Sequence, residues 1–244
     1  MNILRTKMVG GAAIALVATG SLTTAAWADP SPTSPTSIVP PSAASSTLAK
    51  IQAKAASAIS LRLTDLQAAL TVVKANHYLT PADQSTIETT LSNDLAGLNA
   101  LAPVIQADTT VAKARSDYDS VFTSYRVFAL ALPQARLAAS ADDLTGTVLP
   151  RLTDAQSRLE GLLNGADKSK DTTAVQAAMT DLANQLSAVT TSTSGVAATV
   201  LGYKPSDWNA NHAILAQPRA DLTSARSDAK QARADVKTVV EALK

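Results

Sequence analysis

From Leu48 onward the apolar positions recur every three or four residues: Leu48, Ile51, Ala55, Ile59, Leu63, Leu66, Leu70 and Val73. That spacing puts them on one face of a helix, and Ser46 or Thr47 can cap its start. After a turn, Thr80-Pro81-Ala82-Asp83 combines an N-cap residue, a proline at the first helical position and an acid in the first turn. The helix it opens carries Ile87, Leu91, Leu95, Leu98 and Leu101, and its pattern loses regularity near Pro103. A third helix is expected from Asp108-Thr109 to Leu132, with a kink or restart at Pro133. The apolar pattern then continues through Leu137, Leu144, Val148, Leu152, Leu159 and Leu162, crosses Pro150, and closes at Asn164-Gly165. Asp171 is expected to cap a helix bearing Val175, Met179, Leu182, Leu186 and Val189. The Ser/Thr run that follows weakens helical propensity. Lys204-Pro205-Ser206-Asp207 repeats the chemistry of residues 80–83.

The C-terminal stretch from Pro218 divides into sevens. Arg219, Arg226 and Arg233 recur at that interval, as do Asp221, Asp228 and Asp235. Leu222, Ala225, Ala229, Ala232, Val236, Val239 and Leu243 form an a/d seam of the coiled-coil type, with Asp at g and Arg at e. In a parallel homodimer these charges would attract across the interface. The alanines of the seam bury little area, at about 25 cal/mol per Å², and exposed ion pairs add about 0–1 kcal/mol each. A monomer, with residues 218–244 docked inside their own bundle, is therefore expected over a parallel homodimer.

The N-terminal pattern differs. Arg5 and Lys7 precede an uncharged, mostly apolar stretch from Met8 to Leu22, followed by Ala26-Trp27-Ala28. This is the order of a secretory signal peptide, and cleavage is expected after residue 28. The apolar stretch is shorter than the roughly 20 residues of a spanning helix, although an uncleaved anchor is the alternative. Residues 29–46 are rich in Pro, Ser and Thr and predict a disordered linker in extended polyproline conformation. The Ser/Thr-Pro pattern also suits an O-glycosylated stalk. Residues 47–244 make one domain. The expected fold is all-α: an elongated antiparallel bundle of four to six long helices, each about 40 Å or more at 1.5 Å per residue.

Composition narrows the chemistry. The chain contains no cysteine, which removes thiol catalysis, lipoprotein acylation and Cys-ligated metals. Its formal charge of +1 becomes −1 once Arg5 and Lys7 leave with the signal, so no nucleic-acid footprint exists. His77 and His212 are the only histidines, and no HExxH, Gly-x-Ser-x-Gly or phosphate-binding glycine motif accompanies them. No catalytic residue, metal or cofactor is expected. Asp142-Asp143 is the one adjacent acid pair singled out, and solvated acids are the expected reading.

The segment from Asp117 to Pro133 is the unusual one, holding both phenylalanines and two of the four tyrosines. Tyr118, Phe122 and Tyr125 are spaced i, i+4, i+7 and so share a helical face, with Phe128 one turn on. Two readings are open: large rings filling the widest part of a core, or a groove between helices. In a groove, Tyr118, Phe122, Tyr125, Arg126 and Phe128 would contact an apolar ligand or a partner.

Tyr203 and Asp207 match a loose Tyr-x-x-x-Asp export pattern, but no Trp-x-Gly turn accompanies it and the N-terminal signal already accounts for export. The run SYRVFALALPQARLAASADDL, the LTPAD turn before it and the Arg/Asp/Lys heptads after it resemble a group of exported, Ala-rich helical proteins of high-GC Gram-positive bacteria. The resemblance implies the fold and an exported location, and no activity. The sequence thus predicts a secreted or extracellular, free or wall-associated, non-enzymatic interaction or structural protein with an envelope-protein partner. A binding module for a lipid or other apolar small molecule is the alternative.

Overall fold

A computed structural model describes residues 42–244. The expected signal peptide and residues 29–41 of the expected linker therefore lie outside the described residues, while residues 43–46, expected to be linker, are helical. Within them the protein is all-helical and contains no strand. No described helix is long and apolar enough to cross a membrane.

Helix α1 spans Ala43–Lys74. It begins about one turn before the expected start, because Ser42 is its cap and accepts from the Ser45 amide. Helix α2 (Pro81–Ala107) begins as the sequence predicts: Thr80 accepts from the Asp83 amide and Pro81 opens the first turn. It passes through Pro103 without ending there. Proline removes one donor and crowds the preceding turn, and here only four residues remain before the C-terminus, so little helix is disturbed. The two helices are antiparallel. Gln52 near the start of α1 donates to the carbonyls of Ile105, Gln106 and Asp108 at the far end of α2.

Helix α3 (Val111–Thr123) stops well short of Leu132. Arg126 adopts the left-handed region at φ 47°, ψ 35°, and the chain restarts as a wide π-turn over Val127–Ala131. From there it runs without interruption through α4 (Leu132–Asp143), a second π-turn (Leu144–Val148) and α5 (Leu149–Asn164). Both π-turns precede a proline in the same way: Leu132 donates to Val127 ahead of Pro133, and Leu149 donates to Leu144 ahead of Pro150. Proline has no amide hydrogen and clashes with the carbonyl four residues back. Widening the preceding turn to five-residue spacing keeps the rod continuous through Pro133, where a kink or restart was expected, and through Pro150.

Helix α6 (Thr173–Thr193) is capped by Thr172 rather than by Asp171, whose carboxylate instead accepts from the Gln176 side chain. Gly195, at φ 68°, turns the chain into α7 (Val196–Gly202), and α8 spans Pro205–Ala210. Asp207 reaches back to the Lys204 amide at 2.8 Å, which gives this acid of the Tyr-x-x-x-Asp pattern a capping role. The last helix, α9 (Ala216–Ala242), runs antiparallel to α6, since Lys170 just before α6 donates to the Leu243 carbonyl at the end of α9.

Two cores result. The larger gathers Leu66, Leu91, Leu98, Val121, Leu130, Leu182 and Leu222 from most of the helices. A smaller one, around Leu159, Val175 and Val239, closes the end where α5, α6 and α9 meet. The heptad seam of α9 is occupied from within the chain: Ala225, Ala229 and Ala232 are 0%, 3% and 0% exposed. Asp235 departs from the heptad reading, which placed it on the flank; it is buried, with Oδ1 accepting from Gln231.

Candidate functional site

On α1 the buried positions run Ala55, Ile59, Arg62, Leu66 and Val73. Arg62 therefore occupies a seam position where the periodicity calls for an apolar residue. Its guanidinium lies 4.4 Å from the centroid of the Phe122 ring and 5.0 Å from that of Phe128. Tyr118 packs edge-on against Phe122 at 5.1 Å. Nη1 donates to the Ala58 carbonyl at 2.9 Å, while Nε has no partner. Burial lowers the Arg62 pKa from its ordinary value, opposed by the charge of Tyr118. The rings replace, by cation–π attraction, the carboxylate that a buried arginine usually needs. Arg62 was missed in the sequence because Leu63 beside it supplies an apolar residue to the same stripe. The signal was there in the spacing of Ile59, Arg62 and Leu66, at intervals of three and four.

The aromatic segment does not form one helical face. The end of α3 separates its members, so Tyr118 and Phe122 join the Arg62 cluster while Tyr125 turns toward α2. There its ring lies against Gly97, so close that a Cβ at that position would sit 2.5 Å from a ring carbon. Asp94, one turn before Gly97, is pushed by burial up to about 6. Tyr125 is raised as well, by burial first and by the Asp94 charge second. Arg126 points elsewhere: its Nε donates to Asn209 Oδ1 at 2.6 Å, and Asn209 Nδ2 donates to the Thr123 carbonyl at 3.0 Å. Asn209, on α8, thus satisfies the C-terminus of α3 and braces Arg126 in a conformation that costs a non-glycine residue about 1–2 kcal/mol.

Phe128 is the member that reaches solvent, at 42% exposed. It stands in a groove of about 590 Å³ between the C-terminal half of α1 and α4. Val72, Leu79, Leu132 and Ala135 supply apolar wall, and Asp65 and Arg136 are its charged residues. Val72 is 66% exposed, so a large apolar side chain faces water here without cover. A second cavity of about 360 Å³ adjoins the groove at Ala139 and Ser140, which line both. Tyr78, Asp143, Arg226 and Arg233 bring polar atoms to it. Arg226 donates to Ser140 Oγ at 2.6 Å. Both volumes fall in the range of small-molecule sites, roughly 300–1,000 Å³.

Asp142 corrects the expectation of a solvated acid pair. It is buried, and its Oδ2 accepts from the Thr80 amide at 2.8 Å, so α4 supplies a capping acceptor to the start of α2. Burial raises its pKa; the Thr80 hydrogen bond opposes this and the nearby Asp83 charge adds to it. His77 stacks near Tyr78 at 4.2 Å and His212 near Trp208 at 5.7 Å, each in a turn between helices. No group of three His, Asp or Glu side chains placed to hold a metal occurs among the described residues.

No protein-family model, curated protein or solved structure matches the chain.

Proposed function

We propose that the chain is an exported, non-enzymatic binding protein that takes an apolar ligand into the groove between α1 and α4, beside Phe128. Export rests on the basic, apolar and small-residue order of residues 1–28. The observation that carries the binding reading is the groove itself, an uncovered apolar concavity of about 590 Å³ with Phe128 and Val72 open to water. Exposed apolar surface gathered into a concavity is a common mark of a binding site. Of the five aromatic-segment residues, the reading keeps Phe128 as a contact and makes Tyr118, Phe122, Tyr125 and Arg126 supports of the helices that frame it.

The test uses Nile red, a neutral apolar dye, with the protein lacking residues 1–28. Ala68 lines the groove on an exposed face of α1, so Ala68→Trp fills the space at little cost to folding. The dye should brighten with the parent protein and stay dim with Ala68→Trp at unchanged melting temperature. Equal brightening in both would overturn the reading.

A further inference from the structure

We infer that the ligand of this groove is a single-chain amphiphile with a carboxylate head, its chain against the α1/α4 wall and its head in the adjoining cavity at Arg226 and Arg233. The inference rests on the groove reading above and adds the chemical class of the ligand.

Three observations lead to it. The two cavities share Ala139 and Ser140 in their linings, so they lie side by side along α4. Their linings differ in kind: the groove is walled by Val, Leu, Ala and Phe, whereas the cavity presents two guanidinium groups from α9. Arg226 and Arg233 are one heptad apart, so the repeat that builds the seam of α9 also projects a pair of cations along its flank, on either side of Ala229. Finally, among the described residues neither arginine has a carboxylate within 4 Å, and neither does Arg136 on the groove side of the junction. Ser140 orients the Arg226 fork without neutralising it.

The acids present refine the choice of head group. Asp143 lines the cavity with the two arginines and Asp65 lines the groove with Arg136, which leaves one net positive charge across the whole site. A carboxylate matches that charge and the planar fork of a guanidinium. A phosphate monoester carries about −1.5 to −2, more negative charge than the site balances. A quaternary ammonium head would meet two arginines. The arginines are exposed, so their attraction is screened by salt.

Palmitate, hexadecan-1-ol and hexadecyltrimethylammonium share one chain and differ in head charge. Calorimetric titration of each into the protein lacking residues 1–28, below the micellar concentration, should rank palmitate first, about tenfold tighter than the alcohol, as expected for two screened charge contacts. Added salt should narrow that gap. The double variant Arg226→Gln, Arg233→Gln should bring palmitate down to the alcohol's affinity and leave the alcohol unchanged. Equal affinities for acid and alcohol, or a preference that survives the double variant, would overturn the head-group assignment while leaving the apolar groove in place. Failure of all three to bind would instead remove the groove reading itself.

Discussion

A Cβ added to Gly97 would lie 2.5 Å from a Tyr125 ring carbon, so α2 keeps a glycine where its own propensity would prefer alanine. In an unobstructed helix interior the exchange to alanine gains about 0.8–1 kcal/mol. Here it must displace a ring held in the break after α3. Gly97→Ala should therefore lower stability by about 1–2 kcal/mol, whereas in a Tyr125→Ala background the same change should raise it by up to about 1 kcal/mol. Denaturant titration of the four proteins in this cycle reads the reversal of sign. Asp94 near the same ring makes a second prediction. Its folded pKa, about 6, lies above the ordinary aspartate value of 3.8, so the folded state holds the proton more tightly. Stability from this group is thus full below about pH 4 and is lost as pH rises through 6. Its partly exposed setting reduces the effect to about 1 kcal/mol, and Asp142 shifts in the same direction. Urea midpoints should be higher at pH 5 than at pH 7, and Asp94→Asn should flatten the difference.

At the scale of elements, α3 and the rod that follows it show which signals are local. The caps at Thr80 and Lys204 were legible because a cap, a proline and an acid lie within four residues of one another. The end of α3 was not, because the group that satisfies its last carbonyl is Asn209, on a helix far along the chain. The spacing of Tyr118, Phe122 and Tyr125 fits a continuous helix as well as it fits the observed one. Only the tertiary partners, Gly97 for one ring and Arg62 for the others, distinguish the two. Between those partners the roles are unequal. Phe122→Ala should cost about 2–4 kcal/mol, from lost packing and the lost cation–π contact. Arg62→Met keeps the volume while removing a buried cation that no carboxylate neutralises, so it should leave stability within about 1 kcal/mol of the parent. Thermal melts that found Arg62→Met as damaging as Phe122→Ala would assign the arginine a larger share than its geometry suggests.

For the molecule as a whole, the helical class and the α9 seam could be read directly from apolar periodicity, since burial of one face is what the period encodes. The groove could not. It arises where α1 and α4 fail to close on each other, and a missing contact leaves no periodic trace. Its positive side was visible only as heptad arginines, which the sequence placed at e positions and would have paired with Asp only in a parallel homodimer. With the seam of α9 covered by its own chain, self-association through that helix would first have to open the bundle. Light scattering should find a monomer at low and high salt, and exchanging Arg226 and Arg233 for Asp should not change that. A dimer dissolved by those changes would place the arginines at an interface between copies.

The π-turn at Leu144–Val148 should also let the chain take a frame change at that point. Removing a residue from an ordinary helix rotates everything downstream by about 100°, at 3.6 residues per turn, and would swing Leu152 and Leu159 out of the core. A π-turn already holds one residue more than an α-turn needs, so deleting Gly146 tightens the spacing from five to four and leaves α5 in phase. The remaining obstacle is Pro150, which the wide turn accommodates and a tight one does not. Deletion of Gly146 together with Pro150→Ala should therefore melt cooperatively near the parent temperature, while deletion of Asp154, in the regular part of α5, should not fold. The surplus residue acts as slack in the middle of the rod, a place where the chain's length can change while its register with the rest of the bundle does not.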